Sequence, residues 1–115
     1  MAVVRIVPNL ITDDPQALAD FYRAFFGLDI AMDAGFIVTL AKGDQPTQLS
    51  LASEGGSGTE LPVLSIEVDD IAPVLEALTK AGHLPVYGPI SEPWCARRFY
   101  VKDPAGHLIN VLMHE

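Results

Sequence analysis

Residues 11–31, ITDDPQALADFYRAFFGLDIA, and residues 67–87, EVDDIAPVLEALTKAGHLPVY, are two versions of one pattern, and their alignment decides the fold. The acidic pairs coincide, Asp13 and Asp14 with Asp69 and Asp70. Each pair is followed by apolar residues at helical spacing: Leu18, Phe21, Tyr22 and Phe25 in the first copy, Val74, Leu75 and Leu78 in the second. Aspartate at a helix start caps free N–H groups and suits the positive end of the helix dipole. Pro15 and Pro73 fall in the first turns, and Gly27 and Gly82 mark left-handed exits. The rings of Phe21, Tyr22, Phe25 and Phe26 are expected in the core with Leu18.

Strand patterns surround both helices. Val3 to Leu10 precedes the first, and Leu28 to Met32, Phe36 to Ala41 and Gln48 to Ala52 follow it. In the second copy Leu61 to Val68 comes before, and Pro85 to Ile90, Arg97 to Val101 and Leu108 to Met113 come after. Each half therefore reads βαβββ. The Gly- and Ser-rich stretch 53–60, SEGGSGTE, has the composition of a flexible connector. The expected fold class is α+β: two βαβββ modules forming a curved eight-stranded cup with helices on the outer face. Half-repeats 1–53 and 61–115, with connector 54–60, make one domain over 1–115. A ferredoxin-like sandwich fits less well, because three strands rather than two follow each helix.

A chain of 115 residues, half of them apolar, can bury one moderate core. Its formal charge of −8 argues against a nucleic-acid partner, which calls for clustered Lys and Arg, and slightly favours a cationic ligand. The opening MAVVRIVPNL lacks a basic start and a continuous apolar run, and no stretch is long enough to span a bilayer, so a cytoplasmic protein without a membrane partner is expected. The single cysteine, Cys95, has no partner for an internal disulfide and is read as an ordinary small residue.

Near the end, residues 97–110, RRFYVKDPAGHLIN, contain a turn with its own logic: Pro104 fixes φ, Asp103 accepts backbone N–H groups and Gly106 permits positive φ. Together with residues 8–30, PNLITDDPQALADFYRAFFGLDI, this stretch resembles the vicinal oxygen chelate superfamily, which includes glyoxalase I, extradiol dioxygenases, fosfomycin-resistance transferases and bleomycin-resistance proteins. The resemblance covers essentially the whole chain. It implies metal-ligand places at Val7, at Val63, at Asn110 and near Gln48 or Ser50. Valine has no lone pair to offer and a neutral Asn is a poor ligand, so neither a metal nor another cofactor is expected.

Residues 93–99, PWCARRF, are similar to the Pro-Trp-Gly-x-Arg-Glu-Phe segment of the bleomycin-resistance branch, with Cys95 in place of Gly and Arg98 in place of Glu. The resemblance implies a metal-independent, non-catalytic protein that binds a small planar or cationic molecule, an antibiotic among the options, as a homodimer. The site residues expected are Trp94, Arg98, Tyr100, Asn110, Gln48 and Ser50, with packing over the sheet edge or at a dimer interface an equal reading for Trp94. Alternation puts Arg98 and Tyr100 on one face of their strand and Phe99 and Val101 on the other; the helix layer needs apolar partners, which favours the former pair facing the ligand and leaves the reverse assignment as the alternative. Glu67, His83 and His107 are read as structural or solvated, while His114 shares the parity of Asn110 and is read as solvated near the terminus. A glyoxalase-like lyase or a metal-dependent transferase or dioxygenase relative is the alternative, and a protein-interaction domain with a filled cup is a third reading.

Overall fold

The structure, a computed structural model, describes residues 2–44 and 46–115. Its elements are β1 (Val3–Ile11), α1 (Pro15–Phe26), β2 (Asp29–Asp33), β3 (Ile37–Ala41), β4 (Gln48–Ala52), β5 (Leu64–Val68), α2 (Ile71–Lys80), β6 (Tyr87–Glu92), β7 (Ala96–Lys102) and β8 (Leu108–His114). The order is βαβββ twice. Hydrogen bonding places the strands as β2-β3-β4-β1-β5-β8-β7-β6 in one eight-stranded sheet. Within each module the first strand pairs in parallel with the last, and the others pair antiparallel. The chain divides into two compact units, one of Val7–Leu61 and one of Pro62–Glu115 joined by the start of β1 up to Ile6.

In the Val7–Leu61 unit, Asp14 caps α1 by accepting from the Ala17 N–H at 3.1 Å, and Pro15 occupies the first turn, where no N–H is needed. Gly27 ends the helix in the left-handed conformation, its N–H bonded to the Arg23 carbonyl. The core gathers Ala19, Val38, Leu40 and Leu51, with Leu18, Tyr22, Leu28 and Leu49 packed against them. Here the sequence expectation fails in part. Phe21, Phe25 and Phe26 are exposed, and their rings stack on one another and on Tyr22 at centroid distances of 5.2 to 6.3 Å. The stripe that meets the sheet runs through residues 15, 18, 19 and 22, and positions 21 and 25 fall on its flank. Apolar residues on four sides of a helix cannot all face one sheet.

Stretch 53–60 is also more ordered than its composition suggests. Gly55 N–H donates to the Thr59 carbonyl, Thr59 N–H to the Gly56 carbonyl and Gly58 N–H to the Glu54 carboxylate, so the segment is a folded turn with buried glycines rather than a flexible connector.

In the Pro62–Glu115 unit, Asp70 caps α2 through Ala72 N–H, and the helix closes with paired bonds from Gly82 to Thr79 and from His83 to Leu78. His83 thus has the helix-end place read from sequence. The core consists of Val68, Ile71, Phe99, Val101, Ile109 and Val111, packed with Val74, Leu75 and Leu78 of α2. Phe99 and Val101 therefore face the helix. Arg98 and Tyr100 occupy the opposite face, as alternation required. The DPAG turn forms as read: Asp103 accepts from the N–H groups of Ala105 and His107, and its side chain also meets the His107 ring at 2.9 Å. Those bonds, the His107 N–H foremost, hold the Asp103 carboxyl below its ordinary pKa. His107 is part of the turn.

Candidate functional site

The face of the Pro62–Glu115 unit turned away from α2 can be read directly from the ladder. Tyr100 pairs with Asn110, Arg98 with Leu112 and Ala96 with His114 between β7 and β8. Across the next ladder Asn110 pairs with Ser65 and Leu112 with Glu67. On the other side Tyr87 pairs with Tyr100 and Ile90 with Arg98, with a register shift between Tyr87 and Ile90. The shift matters because strict alternation would send Tyr87 and Ile90 to opposite faces. The extra residue in β6 brings Tyr87 round to the Tyr100 side, and the two rings lie 4.8 Å apart.

Arg98 is the centre of this face. It is 4% exposed and Glu92 is 6% exposed, so both charges are inside the protein, and their pairing is what makes the burial tolerable. The Arg98 Nε donates to Glu92 Oε2 at 2.7 Å, Nη2 bonds the same oxygen, and the Tyr87 hydroxyl donates to it at 3.0 Å. Three rings surround the guanidinium carbon: Tyr100 at 4.8 Å, Trp94 at 4.9 Å and Tyr87 at 5.5 Å. A flat, delocalised cation stacks well on aromatic faces, and a partly desolvated one gains most. The result is a rigid aromatic wall without net charge. Trp94 remains 41% exposed at its edge.

The β6–β7 hairpin sets that edge. Glu92 pairs with Ala96, leaving residues 93–95 as a three-residue loop closed by Cys95 N–H on the Glu92 carbonyl. Cys95 has a φ of 64°, the left-handed position such a loop requires before the strand resumes. Gly adopts such a φ without steric cost, and here Cys95 adopts it. Cys95 is exposed and has a turn role.

Asn110 donates through Nδ2 to Ser65 Oγ at 3.1 Å, while its Oδ1 is buried with no hydrogen-bond partner. Two strand positions farther on is Glu67, whose carboxylate takes Arg5 Nε at 2.6 Å on one oxygen and His114 Nδ1 at 2.8 Å on the other. Burial, the largest influence, pushes the Glu67 pKa up, but the bonds and charges of His114 and Arg5 outweigh it together and the carboxyl is held below its usual value. His114 is thus tied to Glu67 through one nitrogen rather than simply solvated.

Of the six expected site residues, Trp94, Arg98 and Tyr100 come together in one cluster, and Asn110 is the cross-strand neighbour of Tyr100. Gln48 and Ser50 belong to the Val7–Leu61 unit; the Ser50 hydroxyl is buried in a 2.8 Å bond with that of Thr39. Sequence reasoning missed Tyr87, Glu92, Ser65 and Asn9. The residue opposite Asn110 is Ser65, with Val63 just ahead of β5, and the equivalent partner of Ser50 is Asn9. Ser65 and Asn9 each lie two residues beyond the valines and share their parity, a signal that was present. Nothing local signals Tyr87, since only the bulge turns it.

The positions at which the family resemblance places metal ligands do not fit a divalent cation. Val7 and Val63 carry no donor atom, the Ser50 hydroxyl is held by Thr39, and Gln48 and Asn110 would bring only neutral amide oxygens, a poor set for a divalent cation without carboxylate or imidazole. Among the described residues no three His, Cys, Asp or Glu side chains gather at one point.

A twice-repeated βαβββ chain whose strands join in one mixed eight-stranded sheet defines an α+β class of protein. The chain belongs to the Glyoxalase/Bleomycin resistance protein/Dioxygenase superfamily, whose family model matches residues 3–111. Comparison with curated proteins finds no significant match. Among solved structures it is similar to NAD-dependent benzaldehyde dehydrogenase from Legionella pneumophila (TM-score 0.77, 12% identity, 96% of this chain and 99% of that one). It is also similar to a glyoxalase/bleomycin resistance protein/dioxygenase superfamily member from Vibrio splendidus (TM-score 0.68, 18% identity, 99% and 100% covered). A third is methylmalonyl-CoA epimerase from Mycobacterium tuberculosis (TM-score 0.69, 15% identity, 98% and 87% covered). At such identities the likeness is one of fold. No helix among the described residues is long and apolar enough to cross a membrane.

Proposed function

We infer that this protein is a metal-independent binder of flat small molecules, of the bleomycin-resistance type, and that its ligand lies against the exposed ring of Trp94, with Tyr100, only 2% exposed, backing Arg98 beneath it rather than meeting the ligand. The observation that carries this reading is the Arg98–Glu92 pair buried beneath three aromatic rings, one of them the half-exposed Trp94. A wall fixed from behind by a buried ion pair presents its rings already ordered, so little side-chain entropy is lost on binding. Asn110 supplies polar discrimination beside the rings.

The test is a thermal-shift screen of flat antibiotics, bleomycin included, followed by titration of the hits on the fluorescence of Trp94, the chain's single tryptophan. A stacked ligand should quench that emission saturably. Trp94→Ala, followed by calorimetry, should weaken a hit by roughly 1–3 kcal/mol, or about one to two decades in affinity. The reading is wrong if every stabilising compound leaves Trp94 emission unchanged and binds Trp94→Ala like the parent.

The same reading makes the protein a homodimer. Exposed Phe21, Phe25 and Phe26 form an apolar cluster of the kind that a second copy covers, which supports it. Sedimentation velocity at micromolar concentration should give twice the chain mass; a monomer throughout would contradict the assignment.

A further inference from the structure

In the Val7–Leu61 unit helix α1 carries two apolar faces, and the sheet covers only one. Pro15, Leu18, Ala19 and Tyr22 turn to the sheet, whereas Ala17, Phe21, Ala24 and Phe25, at helical spacing from one another, are all exposed. The direction of this second face is fixed by Gln16 on the opposite flank, whose Nε2 donates to Asp33 at the end of β2 at 2.6 Å. The strand order β2-β3-β4-β1 then turns the Phe21 flank toward β1. There Leu10, on the helix side with its pairing partner Leu51, is 41% exposed.

Apolar residues at this spacing make the seam of a helix–helix contact. Phe21, Phe25 and Phe26 are 49%, 73% and 64% exposed, and at roughly 200 Å² per ring side chain they leave about 400 Å² of apolar surface open. That is about half of the ~800 Å² that each partner gives to a stable interface, with Leu10 and the two alanines still to add.

Size and charge along α1 indicate what covers the seam. Ala17 and Phe25 lie four residues to either side of Phe21. A second α1 crossing antiparallel at Phe21 therefore sets each Phe25 ring against the partner's Ala17, large against small. Asp13 and Asp14 stand at the N-terminal end of the helix and Lys42 at its C-terminal end, with Nζ 2.9 Å from the Gly27 carbonyl. Antiparallel order brings the lysine of each copy toward the acidic pair of the other and opposes the helix dipoles. Parallel order sets acid against acid. Each copy carries −8, so local pairing of this kind decides which order is open.

We propose that a second copy of this chain docks α1 against α1, antiparallel about a two-fold axis at Phe21. The proposal rests on the homodimer reading and adds to it the face and the order of the helices. Sedimentation velocity across the micromolar range gives the dimer Kd of the parent and of each variant. Phe25→Glu should raise that Kd at least about 100-fold, because two rings leave the seam and two carboxylates enter it. Lys42→Glu and Asp13→Lys should each raise it about fivefold, and the double variant, which exchanges the charges, should return it to within about twofold of the parent. Circular dichroism checks that each variant keeps its fold; should Phe25→Glu lose it, the charge exchange decides alone. A parent that stays monomeric removes the homodimer reading and this proposal together. A dimer that folded Phe25→Glu leaves intact keeps the homodimer reading but overturns the α1 face. A charge-exchanged variant as weak as the single ones overturns the antiparallel order.

Discussion

Arg98→Met should destabilise the protein by about 3–5 kcal/mol, because it takes the guanidinium away from the Glu92 carboxylate inside the sheet face, where the Tyr87 hydroxyl, a neutral donor, does not balance the charge. A small domain has roughly 5–15 kcal/mol in total, so the loss is large enough to unfold part of the population near body temperature. The charge itself is not a net source of stability. Desolvating two ions offsets most of their attraction, and a well-packed apolar pair of similar volume does as well. Arg98→Met combined with Glu92→Leu should therefore recover most of the loss. Urea unfolding of the parent, both single variants and the double variant gives the four corners of the cycle, read as midpoints at unchanged slope. An Arg98→Met variant within 1 kcal/mol of the parent would mean that the guanidinium is not the keystone of the ring wall. The double variant also has a functional consequence: it should fold, yet lose the cation that holds three rings in place.

The βαβββ repeat was legible because each of its signals is local. Aspartate caps, first-turn prolines, terminal glycines and strand alternation need no knowledge of distant residues, and the element bounds found lie within a few residues of those read. Gln48–Ala52 matches in full. Three other features depend on long-range geometry. Which flank of α1 meets the sheet is set by the sheet, so Phe21, Phe25 and Phe26 could not be sorted from Leu18 and Tyr22 by periodicity alone. The acidic partner of Arg98 lies six residues back across a hairpin, and only the Glu92–Ala96 closure shows that the two share a face. Asn110 was placed correctly on its strand, but its cross-strand partner depends on the parallel register, which shifts the neighbour from Val63 to Ser65. The departure of Arg98 from the Glu of the similar bleomycin-resistance segment was visible in the sequence; its consequence, a buried pair with Glu92, was not.

Gly88→Ala should cost roughly 3 kcal/mol, the second large effect, and it tests how the wall is built rather than what it binds. Gly88 has a φ of 73°, where an L-residue pays about 1–2 kcal/mol of backbone strain. A methyl group added there would lie 2.6 Å from the Arg98 carbonyl oxygen, 3.1 Å from the Ile90 nitrogen and 3.2 Å from the Phe99 Cα. All three are backbone atoms, so relief means moving β7 and not merely turning a side chain, and overpacking of that kind adds about 1–3 kcal/mol. The residue sits in the register shift that carries Tyr87 to the Tyr100 side, so any displacement is passed to the ring pair and to the hydroxyl that Glu92 accepts. Gly35→Ala supplies the comparison: its φ of 84° carries similar strain, yet nothing lies within 4 Å of the added carbon. Melting curves should rank Gly88→Ala well below Gly35→Ala, with Trp94 emission altered in the former alone because Arg98 bridges Tyr87 to Trp94. Equal melting temperatures would show that β7 gives way freely at Arg98, and the close backbone approach at the bulge would then not be what fixes the rings.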